Sequence, residues 1–404
     1  MLDINAVRAQ FPALAREVGG RKAAFLDGPG GTQTPEAVLK AMRDYLVNCN
    51  ANCGGDFVTS QESDLCIEQA RQATADLLGA ESRNIAFGAN MTTLNYSLSR
   101  ALARDLRRGD EIVITHLDHD ANICPWRALE EQGIIVKMVP FTRPQCQLQL
   151  DVMESLITPR TRVVAFGMAA NAVGTVNDAA KMIAMAKAVG AITVVDAVHY
   201  VPHFPVDVRL MGVDFLLCSA YKFFGPHVGI LYGRDDAFSG LRAYRIRGQL
   251  NEPPHAIETG TLNHEGIAGV IAAVDFIASL GDGEGNRRER VIKGMKAIDR
   301  WERPLADRLM EGIASLAPVQ LYGPPAEAPR CPTVSFTVAG KTPQEICARL
   351  GEKGFFLWSG NFAACNVIEQ LGLEDQGGLI RAGFAPYNTT EEIDSLLHAI
   401  SELV

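Results

Sequence analysis

Between residues 84 and 232 the sequence alternates between short apolar runs and helical patterns, and this alternation restricts the fold more than any other feature. Strand candidates are Asn84–Gly88, Glu111–Thr115, Ile134–Val139, Arg162–Phe166, Ala191–Val195, Phe215–Cys218 and Gly229–Tyr232. Several are apolar throughout, as strands covered on both faces must be. The helix candidate at 178–188 starts on Asp178 and has Gly190 just past its end. The spacing gives an α/β layer with a mainly parallel sheet of seven strands flanked by helices. Ligands of such sheets sit beyond the carboxyl ends of the strands, so the polar residues that follow each strand are the candidates for chemistry.

A polar break at Gly281–Arg290 (GDGEGNRRER) divides the chain into a large domain over 20–280 and a smaller α+β domain of 281–404 with 1–19. The second part predicts a long helix at about 287–316, short strands at Thr333–Val338 and Leu379–Gly383, and a last helix. A capping box of Thr389 and Glu392 opens that helix, and Ile393, Leu396, Leu397 and Ile400 share one face. No apolar run reaches the roughly 18 residues of a membrane helix, and the first residues mix acids with bases, unlike a signal peptide. With 38 Lys+Arg against 47 Asp+Glu and no basic tract, nucleic acid is not an expected partner. The nine cysteines include no CxxC pair, so neither a disulfide framework nor a zinc site is expected, and a reducing cytoplasm fits best. No GxGxxG follows the early strands, which excludes a Rossmann-type oxidoreductase.

The strand ends carry an ordered set of polar residues. Met91-Thr92 follow the first strand at a strand-to-helix turn whose N–H groups can hold an anion. His119 follows the second, Asn171 the fourth, and Asp196 with His199 the fifth. After the sixth come Ser219, Tyr221 and Lys222, the lysine set among aromatic residues that lower its pKa and free its amine as a nucleophile. Singly, each has a plain structural explanation: a cap, a turn, a buried polar group. Together they form the set that pyridoxal 5'-phosphate (PLP) requires, with an anion cradle, a flat ring to stack on, a carboxylate for the pyridine nitrogen and a lysine for the aldehyde.

The sequence resembles fold-type I PLP enzymes of the class V aminotransferase family, and within it group II cysteine desulfurases and selenocysteine lyases. The resemblance rests on DHDANICPW (118–126), NAVGTVND (171–178), VVDAVHYVPHFPVDV (194–208), SAYKFFGP (219–226), ETGTLN (258–263) and RAGFAPYNTTEEID (381–394), and it extends from Phe25-Leu26-Asp27 to Tyr387-Asn388-Thr389. It implies that Lys222 forms the aldimine and then moves protons, that Asp196 pairs with the pyridine nitrogen, and that His119 stacks on the ring. Asn171 and His199 would face the ring hydroxyl. Met91, Thr92, Ser219 and Tyr221 would hold the phosphate, joined by Thr261 from a second subunit of a homodimer with shared sites. Arg381 would clamp the carboxylate of a small amino-acid substrate. His199 stands where the family has Gln, Tyr221 where it has His, and Met91 where it has Thr. The nucleophilic cysteine of group II desulfurases falls at Ala363, with Cys365 the nearest thiol. The implied activity is a cysteine desulfurase, removing sulfur from L-cysteine or another β-substituent from a related amino acid. Sulfur would pass to Cys365 and on to a protein acceptor, or leave by direct elimination. The alternative is an aminotransferase or an isopenicillin N epimerase-like enzyme, which needs no loop cysteine; a non-catalytic scaffold is disfavoured by the Asp196–Lys222 pair.

Overall fold

The computed structural model describes residues 2–404. Its main sheet has seven strands: β1 (Ile85–Gly88), β2 (Glu111–Thr115), β3 (Ile135–Val139), β4 (Thr161–Gly167), β5 (Ile192–Asp196), β6 (Phe215–Ser219) and β7 (Gly229–Gly233), in the spatial order β1-β7-β6-β5-β4-β2-β3. Six strands run one way, and β7 opposes both β1 and β6. The expected α/β layer is therefore present, with each strand within a residue or two of its sequence-based limits. Strands β2, β6 and β7 are buried along their whole length. One side of the sheet is closed by a cluster that includes Val164, Phe166, Val195 and Ile230, the other by one that includes Ile112, Ile114, Trp126 and Val194.

The principal helices are α1 (Glu36–Asn48), α2 (Val58–Leu78), α3 (Met91–Ala103), α4 (Ala179–Ala188), α5 (His264–Ser279), α6 (Arg287–Ala314), α7 (Pro343–Glu352), α8 (Cys365–Leu371) and α9 (Thr390–Ser401). Local chemistry fixes their starts. Asp178 caps α4 by accepting from Lys181 N–H, and Asn286–Glu289 and Thr389–Glu392 form capping boxes on α6 and α9. The polar break at 281–286 is the link between α5 and α6.

Beyond α6, strands β8 (Val319–Tyr322), β9 (Thr333–Val338), β10 (Trp358–Gly360) and β11 (Leu379–Gly383) form an antiparallel sheet in the order β8-β9-β11-β10. Its core joins Leu305, Leu309, Phe336, Ile380, Leu396 and Ile400. Two short segments, Ala24–Phe25 and Phe355–Phe356, pair in parallel beside it and deliver Asp27 to a bridge with Gly383. Phe11 packs edge-on against Phe276 and Tyr387, and Arg8 reaches Glu392 on α9 at 2.8 Å. No described helix is long and apolar enough to cross a membrane.

Candidate active site

At the carboxyl edge of the main sheet lies a cavity of about 830 Å³, walled on its far side by β10, β11 and the loop between β10 and α8. Strand β5 ends on Asp196, which is buried and accepts from Val198 N–H at 2.9 Å; burial raises its carboxyl to about 6. Strand β6 ends on Ser219, and one helical turn later Lys222 enters the cavity. Its Nζ donates to the carbonyls of Pro29 and Gly30, the latter at 3.1 Å, and lies 4.8 Å from the centre of the Tyr221 ring. Burial, reinforced by the charge of Arg381, lowers its pKa to about 7. Near neutral pH much of this amine is therefore unprotonated, the form that attacks carbonyls.

The turn after β2 is built on Asp118, which accepts from Thr115 Oγ1, Gly167 N–H and Asn122 Nδ2 at 2.8–2.9 Å. Those bonds hold the next residue, His119, with Nδ1 accepting from Ala121 N–H at 2.9 Å, which places its hydrogen on Nε2. Burial, then the Lys222 charge, lowers His119 to about 4, so the ring is neutral. At the start of α3, Asn90 caps the helix through Thr93, and Met91 N–H donates to Ser219 Oγ at 3.0 Å.

Arg381, on β11, is 3% exposed. It donates to Asp27 Oδ1 and to the Asn171 carbonyl, each at 3.1 Å, and its guanidinium carbon lies 4.2 Å from the centre of the Phe362 ring. Its Nε is buried without a partner, as is Asn171 Oδ1. The loop between β10 and α8 places two successive non-glycine residues, Phe362 (φ 57°) and Ala363 (φ 51°), in the left-handed region. Two bonds hold it there: Asn171 Nδ2 to the Phe362 carbonyl at 2.9 Å, and Asp120 N–H to the Ala363 carbonyl at 2.6 Å. Strain of this kind persists only where surrounding structure imposes it, and it concentrates at functional sites.

Of the residues singled out from sequence, Met91, Thr92, His119, Asn171, Asp196, His199, Ser219, Tyr221, Lys222, Cys365 and Arg381 all line this cavity. Three differ in detail from expectation. The Met91 N–H is already spent on Ser219, so it is not a free anion donor. His199 has its Nε2 bound to Thr333 Oγ1 at 3.0 Å, which leaves one ring nitrogen for a ligand. Cys365 Sγ takes a hydrogen bond from Asn361 Nδ2 at 3.4 Å, and a hydrogen bond to Asp120, with burial next, pushes the thiol up to about 11. Thr261 is exposed and does not line the cavity of its own chain. Asp27, Asp118 and Phe362 were missed from sequence. For Asp27 the available signal was an acid directly after the apolar run Ala23–Leu26.

The donor set fits PLP. A buried carboxylate, a neutral flat imidazole, hydroxyls at a helix start, an unpartnered amide oxygen and a lysine with a lowered pKa surround a volume of cofactor size. Asp196 would meet the pyridine nitrogen, His119 the ring face, and Thr92, Ser219 and Tyr221 the phosphate.

A family model described as aminotransferase class-V matches residues 24–396. The chain is 31% identical to a cysteine desulfurase of Klebsiella pneumoniae (strain 342), over 99% of this chain and 98% of that protein. It is 31% identical to probable cysteine desulfurase 1 of Mycobacterium leprae (strain TN) and 30% identical to a probable cysteine desulfurase of Mycolicibacterium paratuberculosis, but spans only 66% and 58% of their lengths. The apo structure of a cysteine desulfurase from Thermococcus onnurineus NA1 superposes with a TM-score of 0.90 at 30% identity, covering 100% of this chain and 98% of that one.

Proposed function

The chain belongs to the class-V aminotransferase family, a PLP-dependent family, and on that premise we propose that it is a cysteine desulfurase-like enzyme that removes sulfur, or another β-substituent, from L-cysteine or a related amino acid. The observation that carries this reading is the meeting of Lys222, Asp196 and His119 from the main sheet with Arg381 from the small sheet in one cavity.

Bound PLP supplies an electron sink for the pair left at the substrate Cα. The chain's own groups do the rest. Arg381 binds the α-carboxylate, with Nε open to an incoming oxygen and Asp27 holding the guanidinium in place. Phe362 covers the guanidinium and shields it from water. Lys222 takes and returns the Cα proton, a task suited to a group near neutrality. Asp196 keeps the pyridine nitrogen protonated, and His119, lacking charge, can stack without competing for that proton.

Sulfur can leave in two ways. If a thiol attacks it, the products are alanine and a persulfide; if it departs as an anion, they are pyruvate, ammonia and sulfide. The protonated state of Cys365 favours departure without that thiol. Exposed apolar side chains on and between α1 and α2 (Leu46, Val47, Phe57, Val58) support a homodimer whose partner brings Thr261 to the phosphate. Nine unpaired cysteines support a reducing cytoplasm. The test is to add cysteine to PLP-loaded protein and quantify alanine, pyruvate, sulfide and protein persulfide. Formation of either product set supports the proposal. Stable conversion of the cofactor to its amine form, without sulfur release, would replace it with transamination.

A further inference from the structure

His199, in the cavity wall, and His203, behind it, lie four residues apart in a helical turn closed by Val201 N–H to Ala197 O (2.9 Å) and Phe204 N–H to Tyr200 O (3.2 Å). This spacing puts both imidazoles on one face, with ring centres 5.5 Å apart. Cys331, just before β9, closes the group: one ligand atom from each of the three lies within 4.8 Å of the others. The residues are 4%, 4% and 0% exposed.

A second observation points the same way. Glu302 on α6, itself 1% exposed, bonds His203 Nδ1 through Oε2 at 2.7 Å, while its Oε1 is buried without a partner. With Glu302 ionised, Nδ1 carries the hydrogen and the Nε2 lone pair is free, the carboxylate–histidine arrangement that orients metal ligands. On the side away from the histidines, Glu302 and Cys331 also line a small cavity of about 10 Å³ together with Arg303 and Arg330. Binding would displace the thiol proton of Cys331, so that the ion meets one thiolate and two neutral imidazoles. The absence of a CxxC pair does not bear on this set, which joins His-x3-His to a cysteine 128 residues further on (331 − 203).

We propose that His199, His203 and Cys331, oriented by Glu302, form a binding site for a thiophilic divalent cation of the zinc class, which shares His199 with the wall of the cofactor pocket. Imidazole and thiolate ligands select Zn²⁺ over Mg²⁺ or Ca²⁺. The assignment does not depend on the reaction catalysed. The experiment uses PLP-loaded protein stripped with EDTA, then given ZnCl2 in competition with a chromophoric chelator, or CoCl2 for spectroscopy. The expected result is one Zn²⁺ per chain and, with Co²⁺, tetrahedral d–d bands with a thiolate charge-transfer band. Cys331→Ser should remove that band, and Glu302→Gln should weaken Zn²⁺ binding by roughly 10- to 100-fold. Retained cofactor absorbance verifies that each variant is folded, and should Cys331→Ser fail this check, His203→Gln takes its place. Wild-type protein that binds no Zn²⁺, or binding unchanged in the folded variants, overturns the proposal.

Discussion

The guanidinium carbon of Arg381 stands 4.2 Å from the centre of the Phe362 ring, a residue held in the left-handed region by the side chain of Asn171. The loop and Arg381 are thus mechanically one unit. Phe362→Ala removes a cation–π contact of about 0.5–2 kcal/mol, which should raise KM for the amino acid roughly 2- to 30-fold. On the proposed roles, steady-state kinetics should show a smaller change in kcat, because the ring touches Arg381 and not Lys222.

Capture of PLP by the apoprotein should depend on pH through Lys222. Its pKa is depressed to about 7 by burial and by Arg381, and only the neutral amine attacks an aldehyde. The rate, followed by absorbance after mixing apoprotein with PLP, should rise with pH through a midpoint near 7 and then level off. Lys222→Ala should give no borohydride-fixed cofactor and lower activity by about 10²–10⁴-fold.

Asp196→Asn keeps the shape of the strand end but cannot hold a proton on the pyridine nitrogen. We expect cofactor to bind and kcat to fall by roughly 10²–10³-fold. The absorbance of the bound cofactor, measured beside turnover, separates lost chemistry from lost binding.

Cys365 should behave as an ordinary protonated thiol. Asp120 and burial hold it at about 11, so iodoacetamide labelling at this position should be slow at pH 7.5 and accelerate toward pH 11. Sulfide release should largely survive Cys365→Ala. A collapse of sulfide release in that variant would identify Cys365 as the acceptor.

Arg71 and Glu258 form a buried bidentate pair at 2.7 and 2.8 Å, and Glu258 also accepts from Phe87 N–H on β1. The pair anchors the segment that leads to Thr261. Arg71→Met leaves the carboxylate buried without its cation and should cost about 3–5 kcal/mol, read as a lowered midpoint in urea unfolding.

Those parts of the architecture that depend on local sequence were readable in advance. The seven strands of the main sheet are short, largely apolar runs, with Asp196 at the end of one and Lys222 one turn beyond another, so chain continuity alone places both at one edge. The small sheet was only half legible: β9 and β11 carry clear apolar runs, whereas β10 is three partly exposed residues whose strand character comes from pairing with β11. Asp27 and Phe362 were missed for a related reason. Their roles arise from contact with Arg381, 354 and 19 positions away (381 − 27; 381 − 362), and no periodicity encodes such contacts. The tie between His199 and Thr333, which occupies one imidazole nitrogen, is likewise a product of packing between the two sheets.

The cofactor cavity draws each wall from a different strand of the main sheet, and its far side from the small sheet. A chain in which any one of these pieces has come loose keeps no partial pocket, because the remaining groups no longer face one another. The yellow colour of the loaded protein is therefore a gauge of global integrity: during heating or denaturant titration it should fade in step with far-ultraviolet dichroism, with no colourless folded form in between.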